Sequence, residues 1–332
     1  MPSLFKSLKN LNYPQDKFKI LVVDSGSTDG SLEYIERNQI KTIKLKTNLG
    51  FAAGNNIGMQ YAIDHGAKYI VLLNQDTYVE PGFLTELVKV AKSSKRIGIV
   101  QSLILYYKNK DEINSWGNEL HFLGYGWSGG NHEQINNQQI ATSAVKEINY
   151  ASGAAVLYKV ELLKKIGLFD ENYFSYHEDS DICLRARLVG YKTVLAPKSI
   201  VYHDYEFPTT KNKNRYFYME KNRLYLIFKF YRLKTLILLW PIMKMMGCGQ
   251  LIFSFKNGYF WQFIKCRLWF ILNFKKFLRA RRKIQKTRQI GDKELMKDFV
   301  AKIRYQEVHN FLLDKIANPI MKIYWKTIKR FI

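Results

Sequence analysis

The run "YFSYHEDSDICLRARLVGY", residues 173–191, holds three acids within four positions: Glu178, Asp179 and Asp181. Carboxylates this close repel, so each raises the pKa of the others. A carboxylate held near a hydroxyl can serve as a general base. Read as a helix, "SDICLRARLVG" puts Ile182, Ala186 and Val189 on one face and stops at Gly190. Asp179 and Asp181 then lie at the helix start, where the macrodipole favours anions. Simple capping carboxylates, one of them paired with Arg185, would give the same pattern.

Other candidate chemistry lies at strand ends. "LVVDSGSTDG" closes an apolar run at Asp24, and Ser25 opens a small polar turn. Asp24 there can accept a hydrogen bond from a nucleobase ring N–H, although an Asx turn or a helix cap explains the residues equally. "LLNQDTYVEPG" sets Asn74 and Asp76 two apart. On a strand they would point the same way, as two oxygen ligands for Mg2+ or Mn2+ on a diphosphate. Turn formation is the competing account. "NLGFAAGNNIG" carries glycines at 50, 54 and 58 and fits neither GxGxxG nor GxxxxGK[ST], which disfavours a nicotinamide enzyme and a P-loop ATPase. Close backbone approach to a ligand at these glycines stays open. His203 ends "KTVLAPKSIVYHD". A histidine there is more often structural, but it is a competent Mn2+ ligand.

The elements that would position these residues alternate in type. "KFKILVVD", "KTIKLK" and "KYIVLLNQD" read as strands, and "SLEYIERN", "AAGNNIGMQYAIDHG" and "EPGFLTELVKVAKSS" as helices. This predicts an α/β domain with a mainly parallel sheet, whose ligands bind beyond the carboxyl ends of strands. "IGIVQSLILYY" reads as a further strand, and "HFLGYGWSGGNHEQINNQQ" as a long functional or mobile loop.

The 332 residues are 47% hydrophobic, enough for a substantial core. Three cysteines without CxxC spacing argue against a disulfide framework and a zinc site. No secretory signal is visible in "MPSLFKSLKNLNYPQ". Residues 1–210 hold 23 Lys+Arg and 22 Asp+Glu, whereas residues 211–332 hold 29 and 6. Nearly all of the net +24 thus sits in a C-terminal stretch that mixes basic, aromatic and aliphatic residues. Its best spanning candidate, Thr235–Phe255, is interrupted by Pro241 and Lys244. Helices lying in the interface of an anionic membrane are the favoured reading. A solvated helical subdomain is the bland alternative, and "KKFLRARRKIQKTR" could bind nucleic acid.

Taken in order, "VVDSGSTDGS", "NLGFAAGNNIG", "LLNQDTYVEPG" and "ASGAAVLYKVELLKKIGLFDENYFSYHEDSDICLRARLVGYKTVLAPKSIVYHD" closely resemble the family 2 inverting glycosyltransferases of the GT-A fold. The likeness is strongest to the rhamnosyltransferase-like branch that builds bacterial surface polysaccharides such as O-antigen. It implies a Rossmann-like nucleotide-sugar domain over residues 1–210, followed by a membrane-associating helical region over 211–332. It implies that Asp179 is the general base with Glu178 and Asp181 supporting it. Asp24, Ser25, Gly50, Asn55 and Asn74 would line the donor site. Asp76, and less directly His203, would hold a divalent metal, Mg2+ or Mn2+. Asn74 stands where many members carry an acid. The expected reaction moves a sugar, rhamnose by resemblance, from a dTDP- or UDP-sugar to a lipid-linked glycan at the cytoplasmic face of the bacterial membrane, with no nucleic-acid partner. Members usually begin with a strand ending in a "TYN"-like turn, some twenty residues before "SLFKSLKNLNYP". Without it the sheet is expected to lose central pairing, and the alternative function is an inactive membrane-associated scaffold.

Overall fold

The computed structural model describes residues 1–206, 212–304 and 311–332. The chain folds as two compact units. One comprises Met1–Asn118, Ser128–Ala186 and Tyr191–Glu206; the other comprises Glu119–Trp127, Arg187–Gly190 and Phe207–Ile332. The boundary expected at 210/211 lies outside the described residues.

In chain order the strands are β1 (Val22–Asp24), β2 (Thr42–Lys44), β3 (Tyr69–Leu73), β4 (Thr77–Val79), β5 (Ile97–Tyr106), β6 (Ile113–Ser115), β7 (Asn118–Leu120), β8 (Gly126–Ser128), β9 (Lys146–Glu147), β10 (Ala155–Lys159) and β11 (Lys192–His203). The helices of the first part are α1 (Pro2–Lys9), α2 (Ser31–Arg37), α3 (Gly50–Asp64), α4 (Phe83–Lys92), α5 (Asn137–Thr142), α6 (Val160–Ile166) and α7 (Glu178–Leu188). Those that follow are α8 (Lys213–Phe230), α9 (Leu233–Asn257), α10 (Phe260–Leu272), α11 (Phe274–Thr287), α12 (Asp292–Leu295) and α13 (Asn318–Ile328).

The central sheet runs β3-β10-β5-β11-β4, with β6 on β5 and β9 on β11. β5 and β11 pair in parallel, and β10 lies antiparallel to both β3 and β5, so β3, β5 and β11 share one direction. The sheet is therefore mixed, not mainly parallel. The connection from β10 through α6 and α7 to β11 is invisible in a strand–helix alternation that gives no pairing order. β1 and β2 form a separate parallel pair, and among the described residues no strand pairs with the other edge of β1.

The core of the first unit explains why these segments adopt these elements. α4 buries Phe83, Leu84, Leu87, Val88, Val90 and Ala91 at helical spacing, against Val100 and Ile104 of β5 and Val194 and Val201 of β11. β5 is buried along nine of its ten residues, as befits a central strand covered on both faces. Glycines 54 and 58 serve packing: a Cβ at Gly58 would come within 2.9 Å of the Val23 side chain and one at Gly54 within 3.4 Å of Ser25 Oγ. They let α3 lie close on β1, which is what fixes the loop after Asp24.

Two expectations for the second unit change. The stretch 121–127, read as part of a long loop, belongs to a buried hairpin segment over 119–127. Leu120, Phe122 and Leu123 are fully buried, the Phe122 carbonyl accepts from Tyr231 Oη at 3.0 Å, and the Leu123 carbonyl accepts from Arg223 at 2.8 Å. α9 also runs unbroken through Pro241. Under α8 lies a buried ionic knot. Glu220 accepts two 2.8 Å bonds from Arg223 and one of 2.9 Å from Gln250, with Arg267 at 3.1 Å.

Candidate active site

Glu178 and Asp179 open α7. The segment that delivers them is strained. Phe174, Tyr176 and His177 all adopt left-handed backbone, with φ of 63°, 69° and 70°. Such geometry costs on the order of 1–3 kcal/mol per residue and survives only where surrounding contacts enforce it. Two contacts do so from α3. The Phe174 carbonyl accepts from Ala52 N at 3.1 Å, and a Cβ at Gly50 would lie 2.5 Å from the Phe174 ring. Gly50, itself at φ +86°, thus leaves room for Phe174. Asn56 ties the same helix to the segment: its amide accepts from Phe169 N at 2.9 Å and donates to the Phe169 carbonyl at 2.9 Å and to Glu171 at 3.0 Å. Asn55, the neighbour singled out in sequence, donates within its own helix to the Phe51 carbonyl at 2.9 Å.

Asp181 is wholly buried and holds the frame. It meets Arg185 Nε at 2.6 Å and accepts from Tyr173 Oη at 3.2 Å. Arg185 in turn donates to the carbonyls of Ile166, Gly167 and Leu168 at 2.7–3.0 Å. Salt bridge and carbonyl clamp together fix where α7 begins. Removing one partner of a buried pair strands the other charge, at a cost of roughly 3–5 kcal/mol. Asp181→Asn should therefore shift the urea midpoint strongly downward, and an unchanged midpoint would rule out this anchoring role. α7 is buried along nearly its whole length, not on the single face expected; the Asp181–Arg185 pair satisfies the charges that the burial encloses.

Asp179 is half-buried and accepts from Ser180 N at 2.6 Å and Ser180 Oγ at 3.3 Å. Burial pushes its pKa up to about 6, with the Ser180 hydrogen bonds opposing. Glu178 is more deeply buried and its Oε2 has no hydrogen-bond partner. Burial, then the charge of Asp179, holds it well above the usual carboxylate range. Each acid raises the other, so the proton affinities of the two carboxyls are linked.

The second constellation joins β4 and β11. β3 ends at Leu73, so Asn74 and Asp76 lie in the turn before β4 and not on a strand. The strand-alternation argument for paired ligands fails for that reason. Asn74 instead fixes the turn through its backbone: its N–H donates to the Ala154 carbonyl at 3.0 Å and its carbonyl accepts from Thr77 Oγ1 at 2.7 Å. Asp76 is brought to His203, with Oδ1 3.3 Å from Nε2, and its carbonyl accepts from Asp204 N at 2.9 Å. His203 is buried and donates from Nδ1 to Asn114 Oδ1 at 3.1 Å, which turns Nε2 toward Asp76. Burial opposes ionisation of Asp76, but the His203 contact outweighs it and lowers the pKa.

These residues fit a divalent cation on one count: Nε2 is a buried nitrogen without a hydrogen-bond partner among the described residues, facing a carboxylate. Imidazole and carboxylate both suit Mn2+. Among the described residues no cluster of three or more His, Cys, Asp or Glu could hold a metal, so the chain would supply two ligands here. Asn114 is the partner that sequence reasoning missed, since a polar residue in a short buried strand carries no signal.

Asp24 is buried and accepts from Gly26 N at 3.1 Å and Ser27 N at 3.2 Å. It forms the Asx turn considered from sequence, with Ser25 lodged by Gly54.

The domain is thus α/β, with acids at the start of α7 and a carboxylate–imidazole pair formed by the turn before β4 and the end of β11. The family model for glycosyl transferase family 2 matches residues 1–167, and the chain belongs to that family. It is a glycosyltransferase of the GT-A fold whose curated relatives include rhamnosyltransferases. It is similar to the N-acetylglucosaminyl-diphospho-decaprenol L-rhamnosyltransferase of Mycobacterium tuberculosis, 24% identical over 220 residues, covering 61% of this chain and 72% of that one. It is also similar to rhamnosyltransferase WbbL of Escherichia coli, 25% identical over 210 residues, covering 58% and 75%. Among solved structures, GalNAc-T7 with UDP, GalNAc and Mn2+ shares the fold, with a TM-score of 0.56 at 14% identity. That match covers 81% of this chain and 54% of the other, so the chain spans about half the length of that protein.

Proposed function

We propose that this glycosyltransferase moves rhamnose, with inversion, from dTDP-rhamnose to a lipid-linked glycan at the cytoplasmic face of a bacterial membrane. The observation that carries the chemistry is the placement of Asp179, half-buried at the start of α7, where burial raises its carboxyl to about 6. A base of that pKa is largely ionised at pH 7 yet basic enough to take the acceptor's proton. Asp179 removes the hydroxyl proton as the acceptor oxygen attacks the anomeric carbon. The bond from that carbon to the diphosphate breaks on the opposite side. Asp76 and His203 would hold the divalent cation, which offsets charge on the departing diphosphate. Glu178, kept neutral, leaves Asp179 as the single charge of the pair.

Rhamnose as the transferred sugar and a lipid-linked acceptor are supported by two relatives, both rhamnosyltransferases, one of which is named for an N-acetylglucosaminyl-diphospho-decaprenol acceptor. The bound UDP and Mn2+ of the structural neighbour support a nucleotide donor and a metal. The test supplies radiolabelled dTDP-rhamnose, Mn2+ and bacterial membranes and measures label in the lipid fraction. Transfer from dTDP-rhamnose is expected. Transfer only from another nucleotide sugar would overturn the donor and keep the reaction; no transfer from any donor would overturn both.

A further inference from the structure

The second unit bears an apolar surface that stands exposed among the described residues. On α9 the exposed residues Leu233, Ile237, Trp240, Leu251, Ile252 and Phe255 recur at helical spacing along one face. Phe255 is 75% exposed. The opposite face is occupied: Thr235, Leu239, Ile242 and Ser254 are buried, and the Leu238 carbonyl accepts from Tyr324 Oη at 2.6 Å. α10 continues the surface with Trp261, Leu268 and Leu272, the last 84% exposed. α13 adds Ile320 and Ile323.

Among the described residues α9 alone is long and apolar enough to cross a membrane. Its surroundings say otherwise. Its 25 residues are packed beside α10 and α13, with 13 and 11 residues. Those two helices reach only about 20 Å and 17 Å, short of the ~30 Å hydrocarbon core. The inner side of α9 also offers Gln250 to Glu220 and to Tyr125 Oη, each at 2.9 Å, within the buried ionic knot. Lys244 interrupts the exposed face midway. On α11, Lys275, Lys276, Arg279, Arg282, Lys283 and Lys286 stand exposed while Phe277 and Ile284 are buried. An apolar face on α9 and α10, with the cation-rich α11 packed on α10, matches the boundary between acyl chains and anionic headgroups.

We infer that α9 and α10 insert sideways into one leaflet of an anionic bilayer, with the Leu233–Phe255 face lying in the membrane plane and Lys244 and the α11 cations reaching headgroup phosphates. This deepens the proposed function, since it states how the enzyme would meet a lipid-linked acceptor, but it stands or falls separately.

The chain provides its own probe. Cys248 lies exposed on α9, while Cys183 and Cys266 are buried. A nitroxide on Cys248, and on Ile237→Cys and Phe255→Cys in a Cys248→Ser background, reports depth through oxygen-dependent relaxation. The vesicles are equimolar phosphatidylcholine and phosphatidylglycerol. All three labels should sit at one shallow depth, roughly 5–10 Å below the headgroups. A profile deepest at 248 and shallow at 237 and 255 would show a spanning helix. Labels untouched by lipid would show a solvated or protein-covered face. Either result overturns the inference. Ile237→Glu combined with Phe255→Glu should weaken vesicle binding at least tenfold and leave transfer to a soluble acceptor unchanged. Undiminished vesicle binding would also overturn it. Failure of the parent enzyme to transfer rhamnose bears on the transfer reading alone.

Discussion

Asp179→Asn should lower sugar transfer by ~10²–10⁴-fold while donor affinity stays within experimental error, because it removes a positioned base and little volume. Two further readouts separate this role from a structural one. In the parent enzyme the acid limb of kcat/KM should have a midpoint near pH 6, where Asp179 loses its proton. That limb should vanish from the residual activity of the variant. Stability should move the other way. The folded-state pKa of Asp179 lies above the ordinary value of 3.8, so the folded protein binds this proton more tightly than the unfolded chain. The resulting stabilisation is complete below pH 3.8 and is lost as pH rises through about 6. At pH 7–8 the ionised, desolvated carboxylate opposes folding, and asparagine relieves it. With allowance for partial exposure, about 1–2 kcal/mol of stability should be gained at pH 7.5. A variant both inactive and more stable fits a catalytic acid; one inactive and less stable would mean that Asp179 holds the fold.

That contrast shows which parts of the site were readable. The three acids stood out in sequence because of their types and spacing, and α7 begins at the first of them. Their division of labour did not stand out. Asp181 differs from Asp179 only in direction: one carboxylate points inward to Arg185 and Tyr173, the other only to Ser180. Direction depends on the strained turn at residues 174–177, which Gly50 and Ala52 hold from 120 residues away in the chain. No local pattern encodes that contact. α4 was legible for the opposite reason. Its apolar residues recur at helical spacing, and tertiary packing agrees with local preference. β10 was the reverse case: "AAVLYK" is fully buried and apolar enough for either a strand or a helix, and its antiparallel insertion is fixed only by β3 and β5 on its two sides.

Replacing Asp76 by Asn should cut kcat/KM by two orders of magnitude or more, since metal stabilisation of a leaving group is worth several kcal/mol. The Asp76 carboxylate offers a cation a charged oxygen, and Asn offers an oxygen without charge. Titration calorimetry with dTDP and Mn2+ should show metal-dependent nucleotide binding in the parent and none in the variant. His203→Ala should behave alike, because it removes the nitrogen that faces the carboxylate at 3.3 Å. Asn114→Ala gives the finer test. Asn114 accepts from His203 Nδ1 at 3.1 Å and thereby sets which nitrogen faces Asp76. Loss of such an orienting partner costs typically 10–100-fold in metal affinity. Excess Mn2+ should therefore restore the rate of Asn114→Ala almost fully, and leave Asp76→Asn impaired. If all three variants keep the parent's dependence on Mn2+, the pair is a structural link between β4 and β11, and the cation is held elsewhere or is not used. Rescue of Asn114→Ala alone would establish that an uncharged amide, invisible as a ligand in sequence, tunes the site through the histidine it orients.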